Sequence, residues 1–457
     1  MICDICGECE ATLFDRVVEN GKSVEYAYCK ACYSSALKHG QSPKDVARAC
    51  IARKGKECRA CGHTAEQLEK TLYLGCPDCY REMRGVVEGV VCGAQAGNGF
   101  SINKLFDNDV LHISTPAFGE NGSDESALDC VVSSRVRLAR NVEGVRFPHC
   151  ISSADERTVE IIKGAMRAAD GLFDARLLTM SSLTKSEKVA LVERHLISLP
   201  LANNSVHGAV IIEKGNSSQM SVMINEEDHL REQCMLYGHN LSRAYERLHT
   251  YDMRLKEQLP LAYDRQFGYL TACVTNVGTG MRASEMLFLP ALERTENVER
   301  LFGLLKKSYG VTARGYFGEG SDAAYGMYQI SNSRTFGVSA AETVGLIERV
   351  VEKVCCLERR ALDILVQGHK TQLLKGVHDS YGRLAYAYSL TMPELMEKLA
   401  DVRLGVMLGE LPISMATINE IIERCALSSE VTVDGISADE RNIARANIVR
   451  DLLTEEK

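Results

Sequence analysis

No stretch of this chain approaches 18 consecutive apolar residues, roughly the length a membrane-crossing helix needs. The opening MICDICGECE is acidic where a secretion leader would be basic. Neither a membrane span nor an export signal is therefore expected, and the expected address is the cytoplasm. A basic excess is missing as well: 53 Lys and Arg against 61 Asp and Glu leave a formal charge of -8. That argues against a large nucleic-acid footprint, which needs cationic side chains gathered on one face, and leaves protein partners open. Apart from paired cysteine knuckles, the chain has no internal repeat and no low-complexity tract.

What is present is an ordinary globular composition, 45% apolar and 25% charged. The 457 residues suffice for two to four domains with substantial cores. Ten of the eighteen cysteines fall in the first 79 positions. They form Cys3-x-x-Cys6 and Cys29-x-x-Cys32, then Cys58-x-x-Cys61 and Cys76-x-x-Cys79. The chain is too long for a disulfide scaffold, and in a reducing compartment such knuckles read as metal ligands. Two knuckles supply four thiolates, which suits tetrahedral Zn²⁺ and a module too small to hold together by burial alone. Sequential pairing closes the shortest loops, although Cys6 and Cys9 offer an alternative knuckle. Cys50 and Cys92 read as packing residues.

Residues 221–231, SVMINEEDHLR, carry an apolar run into three adjacent carboxylates, Glu226, Glu227 and Asp228, followed by His229 and Arg231. This reads as a strand delivering acid to the mouth of a pocket. The run AVII at 209–212 and the polar segment between make the pair a β-hairpin. Taken alone, NEEDH fits a solvated acidic strand end equally well. Four further segments pair glycine or arginine with a reactive group: SSRVRLAR at 133–140, VERHLIS at 192–198, CVTNVGTGMRAS at 273–284 and ARGYFGEGS at 313–321.

In this order the five segments resemble the motifs of the ATP:guanidino phosphotransferases. The chain is most similar to the McsB-type bacterial protein-arginine kinases, from about residue 128 to its end. The cysteine-rich start, with the segment FSINKLF at 100–106, resembles the McsA-type zinc protein that activates such kinases; here the two are joined in one chain. The expected fold class is α+β: a guanidino-kinase catalytic domain with a mostly antiparallel sheet flanked by helices, a C-terminal helical domain and small N-terminal zinc modules. The expected divisions are two zinc modules at 1–92, a Gly/Asn/Ser-rich linker at 93–126, the catalytic domain at 127–338 and the helical domain at 339–457. Capping boxes at Ser339/Glu342 and Thr391/Glu394 open helices in the last of these.

The resemblance implies a division of labour. Arg135, Arg137, Arg231, Arg282 and Arg314 would clamp the triphosphate, a task for planar forks that keep their charge. His195 would sit near the adenine, with Met286 beneath the base. A guanidinium holds its proton to very high pH, so it needs carboxylates both to orient it and to accept that proton. These would be Glu227, as base, and Glu319. Glu226 would support Mg²⁺ through water, and Cys273 would lie beside the acceptor with a lowered pKa. Arg441, Asn442, Arg445 and Ala446 align with a phosphoarginine-sensing motif, with Asn442 in the place of an acid.

The interval before residue 133 leaves no room for the helical domain that encloses small guanidines in this superfamily, so an acceptor pocket open to protein-borne arginine is expected. The implied activity is ATP-dependent phosphorylation of protein arginine, marking proteins for Clp-type proteolysis in stress responses. Implied partners are arginine-bearing protein substrates, a Clp chaperone or protease, a stress-response repressor and a second copy of the chain. Two rival readings are a kinase for free arginine or another small guanidine, and a zinc-ribbon adaptor with a degenerate kinase domain.

Overall fold

The computed structural model describes residues 1–6, 9–19, 22–53, 56–95, 129–151, 156–204, 207–214, 220–315, 326–427 and 437–455. The expected segment FSINKLF at 100–106, most of the expected linker, and Glu319 lie outside these residues. The first cysteine module is a hairpin, β1 (Leu13–Glu19) and β2 (Lys22–Tyr28), followed by α1 (Lys30–Lys38) and α2 (Pro43–Arg53). The second holds α3 (Ala65–Thr71), α4 (Asp78–Glu82) and α5 (Arg84–Ala94). The last of these helices runs past residue 92, where the module was expected to end, and Gln95 behind it is buried.

The remainder is built on one eight-stranded antiparallel sheet. In chain order come β3 (Val131–Arg140), α6 (Glu156–Ala169), β4 (Ala175–Thr179), α7 (Lys185–Glu193), α8 (Leu199–Asn203), β5 (Ala209–Glu213), β6 (Met220–Ile224) and β7 (Leu230–Tyr237). Next are α9 (Leu241–Gln258), the short pair β8 (Tyr263–Asp264) and β9 (Gly268–Tyr269), β10 (Met281–Phe288), α10 (Pro290–Arg294), α11 (Val298–Tyr309), β11 (Val311–Gly315) and β12 (Met327–Asn332). The order across the sheet is β11-β12-β10-β3-β7-β6-β5-β4, so the first strand in sequence lies near its middle. The expected hairpin is present, with Val210 opposite Met223.

Period-two alternation gives the sheet two chemically different faces. Val136, Leu138, Cys234, Met281, Ala283 and Ile330 point to one side and form the main core with α6, α9, α11 and α12 (Ala340–Tyr386). Arg135 and Arg137 alternate with these core residues and project to the other side. Cross-strand pairing sets Arg137 opposite both Arg282 and Gln233, Arg231 opposite Ala139, and Arg314 opposite Gln329, which itself faces Met286. All five arginines expected to clamp phosphate therefore share the polar face.

Ser339 and Glu342 cap α12 reciprocally, as expected. The helix then spans two cores. Val344, Ile347, Val350 and Val354 pack on the sheet, whereas Val377 and Leu384 join α13 (Met392–Met407), α14 (Met415–Leu427) and α15 (Ala438–Glu455). His369, at φ -140 and ψ 27, breaks the helix between them, so the division between the sheet's core and the helical cluster falls later than residue 339. Thr391 caps α13, but the Glu394 carboxylate turns to Arg383 at 2.9 Å rather than closing a box. A disulfide joins Cys130 to Cys355 and ties the entry of β3 to α12. Cys92, expected in packing, is exposed. Among the described residues no helix is long and apolar enough to cross a membrane.

Gly405 lets α13 approach α12: a methyl group there would run into Val377 and Leu411. Gly405→Ala is expected to destabilise the helical cluster by about 1–3 kcal/mol through overpacking, read as a lower midpoint in urea.

Candidate active site at the polar sheet face

The polar face opens into a cavity of about 110 Å³ lined by Arg137, Glu226, Glu227, Asp228, Arg231, Asn276, Gly280 and Arg282, among others. Three backbone features build it. β6 ends at Ile224, and Asn225 takes a left-handed conformation (φ 56) that turns the three carboxylates back toward the sheet. β7 then returns with Arg231. Opposite, the loop 273–280 enters β10 through Gly280 (φ 61), where a Cβ would lie 2.6 Å from the Ala139 carbonyl oxygen; only glycine permits that approach.

The three carboxylates have different surroundings. Glu226 accepts from Arg231 at 2.8 Å, from the Ser198 hydroxyl at 2.6 Å and from the Glu227 amide at 3.0 Å. Burial pushes its pKa up, but Arg231 and these hydrogen bonds outweigh it and hold the group below its usual value. Asp228 is buried, accepting from Asn141 at 2.6 Å and from the Ala272 amide at 2.7 Å. Burial lifts it to about 6, and its bonds tie the acidic turn to the residue before Cys273. Glu227 lies between them with one donor among the described residues, Asn276 Nδ2 at 3.2 Å. Burial first, then its two acidic neighbours, lift it to about 7. A carboxyl poised near neutrality and open to a cavity can take up a proton at physiological pH.

The cations are crowded. Burial pushes Arg135 down to about 9, with Arg231 adding to the shift. Burial and then three neighbouring arginines hold Arg137 well below the usual value. Burial, Arg314 and Arg231 lower Arg282. Among the described residues the buried Nε of Arg137 has no hydrogen-bond partner. Clustered guanidiniums with an orphaned donor are what a polyanion would relieve, so the residues fit a nucleotide triphosphate. Arg135 donates to Gln233 at 2.8 Å, and Gln233 donates to the His195 carbonyl at 2.6 Å. His195 is also left-handed (φ 56); burial and then Arg135 and Arg137 bring its pKa to about 4, leaving a neutral ring at pH 7.

Arg137, Arg231, Arg282, Glu226 and Glu227 thus meet in one cavity, while Arg135, His195, Arg314 and Cys273 lie outside its lining. Cys273 is buried beside Thr275, 3.0 Å away. Its expected low pKa is not produced by the protein itself. Burial pushes the thiol up, and Glu227 and Asp228 push in the same direction despite the Thr275 hydrogen bonds. Arg441 is exposed on α15, whereas Arg445 is buried and spent on the Leu390 carbonyl at 2.8 Å and the Asn442 side chain at 2.9 Å. Sequence reasoning missed Asn141, Ser198, Gln233 and Asn276. Ser198 and Asn276 stand inside the VERHLIS and CVTNVGTG segments, which made them the most findable.

The eight expected thiol ligands gather as two sets, Cys3/Cys6/Cys29/Cys32 and Cys58/Cys61/Cys76/Cys79, with the ligand atoms of each within 4.8 Å of one another. In the second set Sγ separations are 3.7 Å (Cys58–Cys76), 3.4 Å (Cys61–Cys79) and 3.8 Å (Cys76–Cys79). A tetrahedron with Zn–S near 2.3 Å has edges of about 3.8 Å, so this set fits zinc.

The family of the ATP:guanido phosphotransferase C-terminal catalytic domain matches residues 157–361, and that of the protein-arginine kinase McsB C-terminal domain matches residues 370–457. A protein-arginine kinase of Shouchella clausii is 37% identical over 345 residues, covering 74% of this chain and 95% of that protein. One from Geobacillus thermodenitrificans is 38% identical over 337 residues, covering 72% and 92%. In fold, 72% of the chain superposes on the substrate-free duplicated taurocyamine kinase of Schistosoma mansoni with a TM-score of 0.53 at 21% identity; it spans 49% of that longer chain.

Proposed function

The chain belongs to the protein-arginine kinase family of the ATP:guanidino phosphotransferases, and on that premise we propose that it transfers the γ-phosphoryl group of ATP to arginine side chains of proteins. The observation that carries this reading is Glu227, a carboxyl raised to about 7 that shares one cavity with Arg137, Arg231 and Arg282. In the proposed step a guanidinium nitrogen attacks the γ-phosphorus, the N–P bond forms as the β,γ-bridging O–P bond breaks, and ADP leaves with that oxygen. Glu227 receives the proton the nitrogen gives up. Asn276 orients Glu227 by its hydrogen bond at 3.2 Å.

Arg137, Arg231 and Arg282 take the phosphates, with Arg135 and Arg314 completing the clamp from the same sheet face. His195, kept neutral, lies toward the base. Mg²⁺, when bound with ATP, neutralises charge on the β- and γ-oxygens; Glu226 would hold its water shell. Glu319 is proposed as the second acceptor carboxylate and Cys273 as a group beside the acceptor. Zinc is proposed for both thiol sets, with the modules activating or targeting the kinase. Because Arg445 and Asn442 already bond one another, phosphoarginine sensing there would require that pair to open. Clp-type proteolysis, a stress-response repressor, a cytoplasmic setting and a homodimer extend the reading by family resemblance.

Mass spectrometry for acid-labile phosphoarginine, after incubation with ATP and either an unfolded arginine-rich protein or free arginine, tests the proposal. Transfer to the protein is expected to exceed transfer to the free amino acid by at least about tenfold. A preference for free arginine would establish the small-guanidine reading instead.

A further inference from the structure

The second cysteine module packs against the loop that supplies Asn276 to the candidate site. Residues 72–74, between α3 and α4, join residues 272–274 through an isolated antiparallel bridge. Tyr73 bridges Cys273, the Leu74 amide donates to the Ala272 carbonyl at 2.9 Å, and the Val274 amide donates to the Leu72 carbonyl at 3.0 Å. Tyr80 donates to the Thr271 carbonyl at 2.8 Å, and Leu74, Tyr80, Met83, Val87 and Val91 share a core with Phe267, Ala272, Val274 and Val277.

Beyond the end of α5, Gln95 is 6% exposed and uses both ends of its amide. Nε2 donates to the carbonyls of Val274 at 3.0 Å and Val277 at 3.3 Å. Oε1 accepts from the amides of Thr335 at 2.9 Å and Phe336 at 2.7 Å and from the Thr335 hydroxyl at 3.1 Å. Two carbonyls on one side and two amides on the other fix the orientation of the side chain. The loop it grips is the one that presents Cys273 and Asn276, and Asn276 is the hydrogen-bond donor to Glu227. Gln95 itself is absent from the cavity lining.

We propose that Gln95 is a positioning residue for phosphoryl transfer, supplied by the cysteine module to the catalytic domain of its own chain. It sets the peptide planes of residues 274–277 and so aims Asn276 and, through it, the Glu227 carboxylate. The proposal rests on the kinase reading above. A displacement near 1 Å at a reacting group costs on the order of 10²-fold in rate, and a loop freed from two backbone anchors would move on that scale.

The test uses the full-length chain with Gln95→Met, which keeps volume and deletes both hydrogen-bonding ends, and with Gln95→Ala. Two quantities are read: steady-state phosphorylation of an unfolded arginine-rich protein, and the rate at which iodoacetamide alkylates Cys273, followed by peptide mass spectrometry. Both variants are expected to lower kcat roughly 10- to 100-fold, to keep KM for ATP within about twofold, and to alkylate at Cys273 at least about fivefold faster. Should Gln95→Ala fail to fold, as judged by circular dichroism, Gln95→Met alone decides. An active wild type with unchanged kcat in the variants overturns the proposal, as does a loss of kcat matched by equal loss of ATP affinity. A wild type that phosphorylates no arginine sinks the kinase reading, and the alkylation rates then judge Gln95 alone: equal rates overturn it.

Discussion

Glu227→Gln is expected to lower kcat/KM for protein-arginine phosphorylation by about 10²- to 10⁴-fold, the range a positioned general base supplies, while ATP affinity stays within about twofold. The amide keeps the shape of the carboxyl and its contact with Asn276 but cannot receive a proton. Arg137, Arg231 and Arg282 still face the same cavity, so nucleotide binding should survive. The pH profile provides the internal check. With Glu227 raised to about 7 by burial and by Asp228 and Glu226, the free enzyme holds this group protonated below neutrality. Wild-type kcat/KM should therefore fall about tenfold per pH unit below 7 and level off above it. The residual activity of the glutamine variant should lack that limb. A variant with wild-type turnover, or one that keeps the limb, would remove Glu227 from the role of base.

The same shift makes a second prediction of opposite flavour. A carboxyl whose folded pKa lies above its unfolded value favours folding while protonated and loses that contribution as pH rises from about 4.5 through 7. Glu227→Gln is free of this loss. Its melting temperature relative to wild type should rise as pH is taken from 4.5 to 8. Catalytic competence and stability then pull Glu227 in opposite directions, as expected where three carboxylates share a turn.

Much of this site can be read from spacing. The alternation in SSRVRLAR places Arg135 and Arg137 on one face of a strand, and that strand lies in the sheet beside the one carrying Arg282. The NEEDH turn follows its strand as the polarity pattern requires, and the thiols group by nearest knuckles because CxxC turns close locally. The features that escaped depend on segments distant in sequence. Nothing in GAQAGNG distinguishes Gln95 from a linker residue, since its partners lie about 180 and 240 positions away. Within the protein the charges acting on Cys273, Glu227 and Asp228, both raise its thiol, so the lowering expected of it depends on the acceptor's cation. The capping motif at Thr391 was half right because Arg383 competes for Glu394 more strongly than a backbone amide does.

Cys79→Ser should cost more than any other single change in the cysteine modules, and far more than Cys32→Ser in the first. Cys79 is fully buried and shares its core with Leu74, Tyr80, Phe147 and Phe267. The described part of the second module, residues 56–95, is near the size at which burial alone ceases to hold a fold. Zinc bound by four thiolates contributes on the order of 10–16 kcal/mol in comparable small modules. Losing one ligand should thus unfold α3, α4 and α5 together and withdraw both the bridge at Tyr73 and Gln95 from the catalytic loop. The first module has its own small core of Tyr26, Tyr28 and Ala47, which among the described residues includes nothing from the catalytic sheet. Each serine variant should therefore lower zinc from two ions per chain to one by plasma emission spectrometry, but only Cys79→Ser should open the second module to trypsin and reduce turnover at least about 100-fold. Equal turnover in the two variants would mean that the second module's packing against Ala272, Val274 and Val277 plays no part in catalysis.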